Sequence, residues 1–121
     1  MWCWKFECLR NVNVEHSDFI SVCSHANNGD FVYLDPPYYY NAEDGHATYN
    51  TDRVETERLI IHDVRNAMDD MSRRGVKVAR SMSDYPYVRR LFADYTIHEV
   101  EIRRNLRRGV VVVTELVITN Y

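Results

Sequence analysis

Phe31-Val32-Tyr33-Leu34-Asp35-Pro36-Pro37-Tyr38 is the stretch that decides how this 121-residue chain is read. Four apolar or aromatic residues in a row, opened by Gly29-Asp30 and closed by two prolines, predict a short strand buried on both faces and broken at its C-terminal end. The break leaves Asp35 at the edge of the sheet. In open α/β sheets ligands sit outside the carboxyl ends of the strands, so a carboxylate, two prolines and an aromatic ring there form a candidate site. Proline has no N–H, fixes its own φ and drives the preceding residue towards extended geometry. Asp35 and the Pro36 carbonyl are thereby presented as two fixed acceptors, with Tyr38 as a flat wall. Such a set suits a planar heterocycle carrying an amino group. The same residues also suit a plain strand end and Pro-Pro turn, with Tyr38, Tyr39 and Tyr40 as packing.

Downstream, residues 39–51 have the composition of a surface loop, where substrate contacts often lie. Asp52-Arg53-Val54-Glu55 reads as a capping box that opens a helix. Ile60, Val64, Ala67, Met68 and Met71 fall at helical spacing, and Gly75 stops the helix behind Arg73-Arg74. Val76-Lys77-Val78-Ala79-Arg80 is the next strand, followed by Ser81-Met82-Ser83-Asp84. Strand, helix and strand in this order predict a parallel βαβ unit. Asp84 then caps a short helix with Pro86 in its first turn, running through Val88, Leu91 and Phe92. Residues 97–103 and 110–118 are strand-like runs joined by residues 105–109, an antiparallel hairpin.

Upstream, Trp2, Trp4 and Phe6 alternate with Cys3, Lys5 and Glu7, which suggests a strand or equally a ragged start. Val12-Asn13-Val14 is a short strand candidate, and Phe19, Val22, Cys23 and Ala26 give a helical pattern behind Asp18, a natural cap.

The length allows one domain but is short for a complete α/β enzyme with its own cofactor site. No apolar run approaches membrane length, and residues 1–9 lack the order of a signal peptide, so a cytoplasmic location is expected. Cys3, Cys8 and Cys23 match no zinc or redox spacing, and His16, His25, His46, His62 and His98 are scattered; no metal is expected. The net charge of −3 divides unevenly, −8 over residues 1–70 and +5 over residues 71–121. Arg103, Arg104, Arg107 and Arg108 form a cluster able to neutralise phosphates, or a solvated hairpin tip.

Set in order, these motifs resemble the Dam-like adenine-specific DNA methyltransferases. The residues that carry the likeness are Asp-Pro-Pro-Tyr at 35–38 after a hydrophobic strand, Asp18-Phe19 ahead of it and Ser81, Ser83 and Asp84 of a Ser-Asn-Ser-Asp pattern. Arg103-Arg104 and Arg108-Gly109 match a basic hairpin, and Glu115-Leu116-Val117-Ile118-Thr119-Asn120-Tyr121 is similar to the family's last strand. Met82 departs from the pattern, and Thr48-Tyr49 only partly echoes a Phe-Thr-x-Tyr segment.

The resemblance implies a Rossmann-like methyltransferase fold, parallel strands ending in an antiparallel hairpin, and methyl transfer from S-adenosylmethionine to the exocyclic amine of a flipped adenine in DNA. It implies that the Asp35 side chain and Pro36 carbonyl accept hydrogen bonds from the amine, that Tyr38 stacks on the base, and that Pro37 completes the motif. Asp18, Phe19 and Asp35 would lie near the cofactor, and Tyr39, Tyr40, Arg103, Arg104, Arg107 and Arg108 near DNA. The family also has a Gly-rich turn after a strand and a target-recognition segment; here no Gly-x-Gly occurs. Residues 1–121 are therefore read as the C-terminal, catalytic-motif part of an incomplete α/β fold, weak or inactive alone, with a second polypeptide supplying the missing half. Methylation of an RNA base, and a non-catalytic remnant binding DNA or a partner, are the alternatives.

Overall fold

The computed structural model describes residues 7–36, 51–106 and 109–121, residues 51–59 and Leu106 by backbone alone. Pro37, Tyr38, Tyr39, Tyr40, Arg107 and Arg108 lie outside the described residues. The elements are α1 (Phe19–His25), β1 (Phe31–Leu34), α2 (Thr51–Arg73), β2 (Lys77–Ser83), α3 (Pro86–Leu91), β3 (Thr96–Leu106) and β4 (Gly109–Thr119).

β1, α2 and β2 form the anticipated unit, since two parallel strands need a crossover between them and a helix is the usual one. Gly75 ends α2 at φ +77°, and a Cβ on it would come within 2.6 Å of Asn28 Oδ1, so this turn requires glycine. The strands lie in the order β1-β2-β4-β3, with β1 and β2 parallel and β4 antiparallel to both β2 and β3. The molecule is thus a mixed α/β fold on a four-stranded sheet, consistent with a methyltransferase-like architecture.

Side chains of β2 alternate between the two faces of the sheet. Val78, Arg80 and Met82 are completely or almost completely buried on one face. Ile61, Val64, Met68 and Met71 of α2, at steps of three and four, cover them together with Val88, Phe92, Leu116 and Ile118. Each such apolar side chain contributes about 1.5–3 kcal/mol relative to leaving it exposed. Across the sheet, Phe31 and Tyr33 of the edge strand β1 are 57% and 55% exposed, whereas Ala79 and Ser81 of β2 on the same face are buried.

Four local expectations are corrected. The strand anticipated at the N-terminus is absent from its described part, where Glu7 and Cys8 are helical and a turn follows. Val12 and Val14, 51% and 82% exposed, form no strand because nothing stands beside them to pair with or bury against. β2 runs on through Ser81 and Met82 to Ser83, since Val117, Leu116 and Glu115 of β4 pair with those residues. Finally, the hairpin strands are longer than their apolar cores, with Leu106 paired to Gly109 and only two residues between. No helix among the described residues is long and apolar enough to cross a membrane.

Candidate functional site

The register of β1 on β2 creates the site. Leu34 pairs with Arg80, so the next residue of each strand, Asp35 and Ser81, meet at the carboxyl edge. Ser81 Oγ donates to Asp35 Oδ1 at 3.0 Å. The bond fixes the carboxylate while Oδ2 takes no hydrogen bond among the described residues. Beside it a hollow of about 340 Å³ is lined by Phe19 of α1, Tyr33, Leu34, Asp35 and Pro36 of β1 and its exit, and Ile60 and Val64 of α2. A mostly apolar hollow with one oriented carboxylate suits a flat ring that also offers hydrogen-bond donors. It therefore fits the adenosine part of a nucleotide-like cofactor in chemistry, Phe19 and Pro36 supplying flat walls.

Asp35, Pro36 and Phe19 are thus brought together. Asp18 is not part of this wall: its Oδ2 accepts from Ser21 N at 3.3 Å and caps α1, the other of its two sequence-level roles. Arg103 and Arg104 do not form one cluster, because neighbours on a strand point to opposite faces, and Arg104 pairs with Glu115. Asp84, expected to cap α3, instead receives Arg89 Nε and Nη2 at 2.6 and 2.8 Å, and Tyr85 holds the cap position without a side-chain bond to the helix N–H groups. Two parallel bonds from a guanidinium to the carboxylate outweigh the single backbone N–H bond that a cap would give it. Those bonds from Arg89 hold the Asp84 carboxyl below its ordinary range. Among the described residues no group of His, Cys, Asp or Glu is arranged to hold a metal ion.

Two features escaped the sequence. Ile60 and Val64 read only as the core stripe of α2, yet they also wall the hollow. Arg80 is completely buried: Nη2 donates to Met82 Sδ at 2.8 Å, Cζ lies 5.0 Å from the Phe92 ring centroid, and Nε and Nη1 have no hydrogen-bond partner among the described residues. Burial pushes its guanidinium down to about 10. The signal was present, since strand alternation puts Arg80 between Val78 and Met82 on the covered face.

A second, larger hollow of about 540 Å³ opens at the opposite end of the sheet, lined by Arg65, Asp69, Ser72, Asp94, Tyr95 and Asn120 among others. Its polar groups are tied to one another. Arg65 Nε donates to Asp69 at 3.0 Å, and Nη1 and Nη2 to Asp94 at 2.7 Å each. Tyr95 Oη donates to Asp69 at 2.7 Å. Asn120 donates to Ser72 Oγ and Val76 O at 2.8 Å each and accepts from Val78 N at 2.8 Å. Bonds from Arg65 hold Asp94 below the usual carboxylate range, and burial pushes Tyr95 up to about 12.

Comparison with known proteins bears on the carboxyl-edge site. Residues 4–106 match the family model described as D12 class N6 adenine-specific DNA methyltransferase. A curated relative, Type II methyltransferase M1.LlaDCHI of Lactococcus lactis subsp. cremoris, is 32% identical over 123 residues, which cover 95% of this chain and 42% of the relative. The chain therefore spans well under half the length of that relative. Among solved structures, the precorrin 8w decarboxylase of Methanobacterium thermoautotrophicum overlays 93% of this chain and 56% of its own, with a TM-score of 0.42 at 11% identity, too little to bear on function.

Proposed function

The chain belongs to the D12 class N6 adenine-specific DNA methyltransferase family, and from that premise we propose that it forms the base-holding part of a site-specific DNA methyltransferase. The observation that carries this reading is the Ser81–Asp35 bond at the mouth of the hollow, which leaves one carboxylate oxygen to accept from an amine. Asp35 Oδ2 and the Pro36 carbonyl take the two protons of the adenine amine, which keeps its nitrogen lone pair directed away from them. Pro37 completes the turn, and Tyr38 stacks on the flipped base. Bound S-adenosylmethionine would supply an electrophilic methyl group to the amine lone pair and leave as the neutral thioether; Asp35 Oδ2, already accepting from the amine, is placed to receive the proton that the methylated nitrogen gives up and to pass it to water. Phe19, with Asp18 beside it at the start of α1, holds the cofactor's adenine ring, and Asp35 stands between cofactor and base. Tyr39, Tyr40, Arg103, Arg104, Arg107 and Arg108 contact DNA.

The sheet reads as the later strands of a Rossmann-like methyltransferase fold. The exposed Phe31 and Tyr33, and the edge of β1 that pairs with no strand among the described residues, support a further polypeptide segment that completes fold and cofactor site. Alone, the chain is weak or inactive, because alignment of amine and methyl donor can supply about 7–11 kcal/mol of such a barrier in the best cases. The test is transfer of labelled methyl from S-adenosylmethionine to adenine-containing DNA, against an RNA control. Transfer is expected to rise when the missing segment is supplied, and to vanish in Asp35→Ala. Equal transfer by Asp35→Ala would overturn the assignment.

A further inference from the structure

α1 is seven residues long, far short of the length at which a helix stands by itself in water, so something outside it must hold it in place. Its N-terminal end is capped from within by Asp18. Its C-terminal end is held from α2. Arg74, immediately beyond α2, donates from Nη2 to Cys23 O at 2.8 Å and from Nη1 to Ser24 O at 3.4 Å and to Ala26 O. Nε of the same side chain donates to Asp70 Oδ2 at 2.9 Å, which aims the guanidinium. The last carbonyls of a helix have no partner within it, and they carry the negative end of its dipole. A guanidinium answers both needs at once, and its planar fork spans several carbonyls where a lysine could reach fewer. Cys23 lies buried under this clamp, against α2.

Phe19 is the first residue of α1 and a wall of the hollow, whereas Arg74 grips the other end, roughly 10 Å away at 1.5 Å per residue. We propose that Arg74 is a positioning residue for cofactor binding: by capping α1 from α2 it keeps Phe19 in place before the ligand arrives. This rests on the hollow being the cofactor's adenine site. Without the clamp, α1 is in place only part of the time, and apparent affinity falls by that fraction.

The experiment measures equilibrium dialysis of labelled S-adenosylmethionine and, separately, the rate at which an aromatic disulfide reagent labels Cys23 in a Cys3→Ser/Cys8→Ser background. Arg74→Ala is expected to weaken binding about tenfold, the loss if α1 is in place about a tenth of the time. Arg74→Lys should fall between it and the parent, and Asp70→Ala, which keeps the carbonyl bonds, should stay within about twofold. Cys23 labelling should accelerate in the same order. Faster labelling with unchanged affinity would overturn the proposal and leave Arg74 a structural cap only. Should Arg74→Ala fail to fold, Arg74→Lys with parent-like affinity and faster labelling overturns it equally. A parent chain that binds no cofactor even when the segment completing the site is supplied removes the premise and the proposal together, while graded Cys23 labelling would show that the clamp itself was correctly identified.

Discussion

The two ends of this sheet hold their polar groups in opposite ways. At the amino end, Arg65, Asp69, Asp94, Tyr95, Ser72 and Asn120 bond to one another and to backbone, so the larger hollow there is rimmed by satisfied groups. At the carboxyl end, Asp35 has one hydrogen-bond partner among the described residues, Ser81, and faces a smaller, mainly apolar space. Of these two hollows the larger is the one whose polar groups are already bonded to each other. Groups bound to each other stabilise the fold; a group held by one atom and open at the other is available for chemistry.

If that contrast is right, substitutions at the two ends should separate stability from activity. The largest loss is expected for Arg65→Ala, which removes the guanidinium from Asp94 and the Leu91 carbonyl and leaves Asp69 with Tyr95 Oη. Its 17%-exposed side chain makes the cost about 2–3 kcal/mol, read as a lower midpoint in urea. Unchanged stability would mean that the amino-end network is decoration.

Arg80→Met sharpens the comparison from between the two ends, where a buried cation lacks the partners that Arg65 has. A guanidinium pushed down to about 10 destabilises the fold at every pH below that value, a cost relieved only as pH rises above it towards the ordinary arginine range. An apolar side chain of similar length should therefore stabilise at pH 7, by about 2 kcal/mol. A lower melting temperature would show that Arg80 has a role that its surroundings do not reveal.

Smaller again is the acid response. Asp84 and Asp94 are held below 3.8 by bonds from Arg89 and Arg65, so their contribution is complete above that value and is lost as pH falls through their depressed folded values. Thermal melts between pH 5 and pH 2 should decline below about pH 4, less steeply in Arg65→Ala, where Asp94 has lost its partner. Equal slopes would remove Asp94 from the account. The smallest stability change belongs to Asp35→Asn, within about 0.5 kcal/mol, although methyl transfer by the completed enzyme should be lost.

Much of this arrangement was legible along the chain. The apolar run stopped by Pro36-Pro37 gave β1, Gly75 gave the end of α2, and strand–helix–strand order brought Asp35 beside the segment starting at Ser81. What stayed hidden depended on partners distant in sequence. Ser81 and Met82 are strand only because Val117 and Leu116 lie beside them, and Asp84 abandons its cap for Arg89, which pairs with Glu99 as well. Strand alternation does put Arg80 on the covered face, but what encloses it, Phe92 and the stripe of α2, is brought there only by the fold. Arg103 and Arg104 were grouped because they are adjacent, which in a strand means that they are separated.

The in-register pairing of β1 with β2 also limits how this gene can change in length. β1 has four residues, and each is matched to one of β2. Deleting a single codon within it would exchange the two faces of the strand, turning Phe31 or Tyr33 towards α2 and moving Asp35 out of step with Ser81. A deletion of two codons would restore the faces but leave too little strand to pair. Single-codon changes should thus be lethal to the site within residues 31–35, however mild the side chains involved.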